Sequence, residues 1–312
     1  MGIKDFFKIV APNGKTIKDM GTLMTQKELE SLKGMKIVID APAVLHAAIR
    51  GMPNIETMTH NGKITSYLNV IFFNVMQFAR LGIHQLWVFD GKPPSIKLEE
   101  LAKRKKNRED ATAKAKNEKD AEKVKKLKKI AYKLEDYVYV DTQRLLSRMG
   151  ISWAIAPEEG EGYCSYLNKK GEYDYVWSLD ADCFMFGAKQ VIRPTKDGSK
   201  KAYYVYERST ILKQLEINES QFLMMGICMG TDFSDKIPRI GAKTVVNKIG
   251  QHFNLTEEQT MALKYFKHAP YKGAITHKSK FDKDKLIKFL LRRGFNIGRL
   301  SPHIEELEKI YS

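Results

Sequence analysis

YDYVWSLDADCFMFG, residues 173–187, carries an apolar run that stops on two carboxylates, Asp180 and Asp182, with Phe184 and Phe186 close behind. A short β-rich run that ends on acid is the pattern of a buried strand delivering charge to one edge of a sheet. The same pattern recurs in MKIVID (35–40) and HQLWVFD (84–90), and ISWAIAP (151–157) is a like run that stops at a turn. Between these runs lie helical periodicities at 41–50, 64–82, 138–150 and 162–171. Strand alternating with helix predicts an α/β fold, with a mainly parallel central sheet and helices on both faces. In such sheets reactive groups gather beyond the carboxyl ends of the strands, where these acids fall. After the last parallel strand, 190–207 reads as a β-hairpin turning at Lys196–Ser199, and from Arg208 onward the pattern is mostly helical.

The charge balance narrows the function. The 312 residues carry a formal charge of +16, which points to a polyanionic partner, nucleic acid before an anionic membrane surface. Residues 97–133 alone hold fifteen Lys/Arg against seven Asp/Glu, with no Pro or Gly. That stretch reads either as a solvated, ion-paired helix pair or as a phosphate-contacting arch that orders on nucleic acid. No apolar run approaches a membrane span, and MGIKDF fits neither a signal peptide nor a myristoylation site. Cys164, Cys183 and Cys228 are odd in number and widely spaced, so no disulfide framework or zinc site is expected. The expected setting is an intracellular, reducing compartment, nuclear or cytoplasmic.

The acids carry the chemistry. Asp40, Asp90, Asp180 and Asp182 stand at strand ends; Glu159 and Glu161 follow the strand of 151–157; Asp232 follows a helix in CMGTDF. Singly, each has a plainer explanation: Asp40 as a helix N-cap, Glu159 and Glu161 as dipole partners of a helix start. Jointly, doubled acids at 159/161 and 180/182, with no basic residue inside the motifs, call for hard divalent cations. Two Mg²⁺ ions about 4 Å apart suit in-line displacement at a phosphodiester. The attacking water would be activated by the ions rather than by a side chain.

The blocks VIDAPAVLH (38–46), VFDGKPPSIKLEELAKR (88–104), APEEGEG (156–162), LDADCFMFG (179–187) and GTDFSDKIPRIGAK (230–243), preceded by MGI, occur in an order that resembles the flap endonucleases of the XPG-like 5′ nuclease family. The resemblance runs from Gly2 to about residue 300. It implies a PIN-like nuclease core formed by 1–96 and 137–215, a basic helical arch at 97–136, and a helix-turn-helix-like duplex-binding and C-terminal helical region at 216–312. It implies that Asp40, Asp90, Glu159, Glu161, Asp180, Asp182 and Asp232 bind two Mg²⁺, with Mn²⁺ as a substitute, and that Lys97 and Arg104 contact the scissile phosphate. It places Gly2 beside the site, Lys103 on the DNA-binding arch and His46 where the family stacks an aromatic ring on a base. Arg239, Gly241, Lys243 and Lys248 would hold duplex phosphates, with K⁺ on the carbonyls of loop 237–242.

Departures from the family's pattern are specific. Arg239-Ile240-Gly241 stands where the family has Gly-Ile-Gly, and a non-Gly residue resists positive φ. EGEG replaces EAEA at 159–162, which makes that helix start more pliable. EELEKIYS carries no sliding-clamp motif. The expected activity is a metal-dependent 5′ flap endonuclease working as a monomer on flap or other branched DNA. The alternatives are a 5′ exonuclease, a junction-cleaving or RNA-directed nuclease of the same family, or an inactive nucleic-acid-binding scaffold. A phosphatase built on Asp180-Ala-Asp182 is a remote alternative, since that motif belongs after a first strand.

Overall fold

The computed structural model describes residues 2–51 and 59–311. The described strands are β1 Thr22–Thr25, β2 Lys36–Asp40, β3 Thr59–His60, β4 Lys63–Ile64, β5 His84–Phe89, β6 Ser152–Ile155, β7 Tyr175–Trp177, β8 Gln190–Asp197, β9 Lys200–Glu207 and β10 Ile275–His277. Eight of them form one sheet in the order β1-β9-β8-β7-β2-β5-β6-β10, and β3 and β4 pair as a small separate hairpin. The centre, β8-β7-β2-β5-β6, is parallel throughout. Its edges are antiparallel: β9 folds back on β8 and carries β1, while β10 lies against β6. The sheet is thus mixed around a parallel core.

The parallel strands are apolar on consecutive residues because both faces are covered. Ile37, Ile39, Trp87 and Phe89 face one core, under helices Ala41–Arg50, Ser66–Arg80 and Asp136–Arg148 and the C-terminal pair Lys283–Leu291 and Ile297–Tyr311. Val38, Leu86, Val88 and Val176, from the alternate positions, face the other core with helices Gly160–Lys169, Arg208–Leu215 and Glu219–Met229. Alternation of Cβ direction along a strand thereby splits one apolar run between two cores.

The basic stretch forms two helices, Leu98–Asn117 and Ala121–Ala131, which pack on each other. The first buries only Ala111 and the second buries nothing, so they stand off the core as an arch-like projection. Helix Lys283–Leu291 packs against the domain through buried Leu286, Phe289 and Leu290. Arg293 just beyond it, which the sequence pattern sets near the exposed side, instead makes a two-pronged ion pair with buried Asp141, at 2.5 and 2.6 Å. The three cysteines are free and buried. Among the described residues no helix is long and apolar enough to cross a membrane.

Candidate functional site

The carboxyl ends of β2, β5, β6 and β7 converge on one cleft. Asp40, Asp90, Glu159, Glu161, Asp180 and Asp232 line it together with His46, Lys97 and Arg104, and its volume is about 80 Å³. That is room for two or three water-sized occupants and too little for a nucleotide. Asp182, the seventh acid, is fully buried. Both its carboxylate oxygens lack a hydrogen bond; the backbone N–H of Ile3 lies near, outside hydrogen-bond geometry.

Each acid is fixed by local structure. Asp40 is the helix N-cap weighed for it: its Oδ1 accepts from Ala43 N at 3.2 Å at the start of helix Ala41–Arg50, while its Oδ2 accepts from Ser178 Oγ at 3.0 Å. Asp90 Oδ1 accepts from the N–H of Gly160 at 2.7 Å, so a strand-end acid caps a helix seventy residues away. A Cβ at Gly160 would come within 2.9 Å of that oxygen, so glycine leaves room for this cap at the start of helix Gly160–Lys169. Asp180 Oδ1 accepts from Asp182 N at 3.2 Å. Gly2, at φ +74°, hydrogen-bonds Asp232 Oδ1 through its N–H at 3.4 Å. A side chain there would meet Asp180 Oδ1 at 1.8 Å, so only glycine fits against the acids.

Crowding and burial set the electrostatics. Burial pushes the Asp40 carboxyl up to about 7, with the charge of Asp90 adding to it. Glu159 rises to about 7, again through burial, although Lys97 pulls it down. Asp90, Glu161, Asp180 and Asp182 are also raised by burial, the last three further by neighbouring acids. Asp232 differs: burial lifts it, but Arg104 and Lys97 outweigh that and leave its carboxyl below the ordinary value.

Basic residues absent from the acidic motifs in sequence are present in space. Lys97 pairs with Glu159 and lies 3.8 Å from Asp232, while Arg104 contacts Asp232 at 2.5 Å and Glu100 at 2.9 Å. The donor set fits hard divalent cations, being all carboxylate with one orphaned buried pair of oxygens at Asp182. Even so, among the described residues no three of these groups converge as a ready metal cage. Lys97 and Arg104 hold Glu159 and Asp232 in ion pairs instead.

A second cavity of about 360 Å³ adjoins the cleft beneath the basic helices. Arg50, Lys97, Arg104, Arg108, Lys133 and Tyr139 line it, with His46 at the boundary of both cavities. Burial, then Arg50, Arg104 and Arg108, push the His46 imidazole down to about 4, so it is neutral and offers a ring rather than a charge. Arg50, Arg108 and Lys133 are not singled out by the sequence motifs. The signal for two of them was spacing: Arg50 lies one turn beyond His46, and Arg108 one turn beyond Arg104.

The remaining predicted residues do not line the acid cleft. Lys103 points to the exposed Asp235, at 3.2 Å. Arg239 and Lys243 are exposed and Gly241 and Lys248 half-buried on the segment after helix Glu219–Met229. Arg239 keeps the left-handed turn that glycine would supply, at φ +63°. The second helix of this element is a single turn, Val245–Lys248, rather than the full helix expected of a helix-turn-helix. In the loop thought to take K⁺, the Ile237 carbonyl accepts from Ile240 N, and that of Gly241 from Thr244 N and Val245 N.

Comparisons with known proteins give the family. Residues 1–111 match the XPG N-terminal domain and residues 150–232 the XPG I-region. The chain is 32% identical to Flap endonuclease 1 of Methanosarcina acetivorans, over 93% of this chain and 95% of that protein. It is 34% identical to Flap endonuclease 1-A of Sorghum bicolor, over 99% of this chain and 87% of that protein. The solved flap endonuclease-1 of Methanococcus jannaschii superposes with a TM-score of 0.71 at 27% identity, covering 93% of this chain and 96% of that one. The catalytic core of Rad2 in complex with DNA substrate, 17% identical, shares the fold with a TM-score of 0.71. The chain therefore belongs to the flap endonucleases of the XPG family.

Proposed function

We propose that the protein is a divalent-metal-dependent, structure-specific 5′ nuclease that hydrolyses DNA phosphodiesters where a single strand meets a duplex, with a 5′ flap as its preferred substrate. The observation that carries this reading is the pairing of two cavities. An acid cleft sized for ions opens into a nucleotide-sized cavity walled by cations under the basic helices. Asp40, Asp90, Glu159, Glu161, Asp180, Asp182 and Asp232 would hold the ions. When bound, two Mg²⁺, or Mn²⁺ in their place, supply Lewis-acid polarisation of the phosphate and activation of the attacking water.

This chain's own residues do the rest. Lys97 and Arg104 pair with Glu159 and Asp232. With those carboxylates committed to cations, the same two side chains would donate to the phosphoryl oxygens, where negative charge builds in the transition state. Lys97 and Arg104 are both held protonated: burial opposes this, and the surrounding acids outweigh it. Neutral His46 stacks on a base without competing for phosphate. Exposed lysines on helices Leu98–Asn117 and Ala121–Ala131 track the unpaired strand.

The test is a panel of end-labelled 5′-flap, gapped, nicked and four-way-junction DNAs, incubated with Mg²⁺ or with EDTA and mapped for cuts. The reading predicts Mg²⁺-dependent cutting next to the flap junction with a 5′ phosphate on the product. Cutting that persists in EDTA, or that ignores the junction, contradicts it.

A further inference from the structure

A third cavity, of about 460 Å³, adjoins the acid cleft and shares only Arg104 with the cavity under the basic helices. Asp90 and Glu159 border the acid cleft and the arch-side cavity, Asp232 borders the acid cleft and the third cavity, and Arg104 borders all three. The N-terminal segment Gly2–Lys8 forms one side of it, and Arg193 on β8 contributes to the other.

Its charges do not cancel internally. The acids on its wall are already engaged: Asp5 with Lys8 at 2.7 Å, Glu100 with Arg104 at 2.9 Å, and Asp232 with Arg104 at 2.5 Å. Among the described residues no acid pairs with Lys4 or Arg193 within 4.0 Å. Arg193 Nε is buried without a hydrogen-bond partner, and its guanidinium lies over the Phe7 ring at 4.5 Å. Phe7 in turn rests on Tyr206, ring to ring at 5.2 Å. A guanidinium with its Nε buried and without an acceptor is poorly compensated for desolvation, which favours an anion at its open terminal nitrogens. The guanidinium is also held in place beforehand, by a sheet strand and an aromatic face.

We propose that this cavity is a second phosphate subsite: Arg193 and Lys4 take a phosphodiester of the cleaved strand beside the acid cleft, apart from the arch-side cavity, and Phe7 packs against the adjoining sugar or base. The proposal rests on the nuclease reading above and names an interaction that reading does not contain. The two subsites grip the strand at two places bordering the acid cleft, which fixes the scissile phosphate over the acids.

The experiment measures binding of a fluorescent 5′-flap DNA by anisotropy in EDTA, so that cutting does not enter. Wild type is compared with Arg193→Gln, Arg193→Lys, Lys4→Gln and Phe7→Leu, and with Lys309→Gln, an exposed charge loss on the C-terminal helix. Each phosphate near the junction is replaced in turn by an uncharged methylphosphonate. Arg193→Gln is expected to weaken binding several-fold and to lower the log–log salt slope by roughly 0.9, with Lys309→Gln unchanged and Arg193→Lys keeping the slope. One linkage is expected to matter to wild type and to matter no longer in Arg193→Gln. Should Arg193→Gln fail to fold, exposed Lys4→Gln is expected to give the same loss at the same linkage. Wild-type affinity, slope and linkage profile in Arg193→Gln or Lys4→Gln overturn the subsite alone. A wild type that neither binds nor cuts flap DNA overturns the nuclease reading itself.

Discussion

Six of the seven clustered carboxylates hold their protons more tightly than ordinary acids, and this has a sign in stability. Asp40 and Glu159 titrate at about 7, against ordinary values of 3.8 and 4.5, and Asp90, Glu161, Asp180 and Asp182 shift the same way. Between those limits the folded state binds protons that the unfolded chain has released. Stability is therefore full below the unfolded values and is lost as pH rises through 7. Asp232, held low, works in the opposite direction but is one group among seven. The metal-free protein is expected to lose Tm between about pH 5.5 and about pH 8, and added Mg²⁺ to restore it at the upper pH. Thermal melts in EDTA and in Mg²⁺ check this; a metal-free Tm that rises over that interval contradicts it. Arg239 bears backbone strain at φ +63°. Arg239→Gly is expected to stabilise by about 0.5–1 kcal/mol, the left-handed penalty less the extra entropy of glycine, and Arg239→Ala to gain nothing. Equal melts for the two variants would show that the turn carries no strain. The strand-end acids were legible because a carboxylate interrupts an apolar run. The cations that balance them were not, since Lys97 meets Glu159 across sixty-two residues through the fold alone.

Among the elements, the parallel strands were legible because burial on both faces leaves unbroken apolar runs such as KIVID, of which only Lys36 is exposed. The edges were not. Thr22–Thr25 is mostly exposed, and Ile275–His277 is exposed at all three positions, so neither shows an apolar pattern to read. The one-turn helix Val245–Lys248 lies between Gly241 and Gly250 and includes adjoining β-branched residues, a poor setting for propagation. The arch-like helices make a prediction of their own. Replacing Lys105, Lys106, Lys125 and Lys126 by Ala is expected to flatten the log–log salt dependence of flap binding, by roughly 0.7 for each single-strand phosphate that the protein no longer neutralises. An unchanged slope would leave this projection a solvated helix pair. At the C-terminal end, Arg293→Met strips buried Asp141 of its two-pronged partner and leaves only Arg144, at 3.6 Å. Removing one member of such a pair costs about 3 kcal/mol, to be read as a fall in the denaturant midpoint. An unshifted midpoint would show that Arg144 suffices.

The whole molecule carries +16, yet its central cleft is acidic, and the two signs meet where Lys97 and Arg104 touch Glu159 and Asp232. A basic exterior captures DNA at long range; the acids act only at close approach. Raising salt is therefore expected to lower kcat/KM for flap cutting steeply while leaving the single-turnover rate at saturating protein nearly constant. A parallel fall in both would place the salt effect in the chemical step instead. The central claim is that the buried carboxylates constitute the cutting centre, and Asp182 isolates it. It is fully buried, its oxygens are unpartnered, and Asp182→Asn is isosteric. The most direct measurement is single-turnover cleavage of one 5′-flap DNA in Mg²⁺ by wild type and Asp182→Asn side by side, with melts run in parallel. The account predicts a rate lower by at least roughly 10²-fold in the variant, at an unchanged or raised metal-free Tm. Wild-type cutting by a well-folded Asp182→Asn would contradict it.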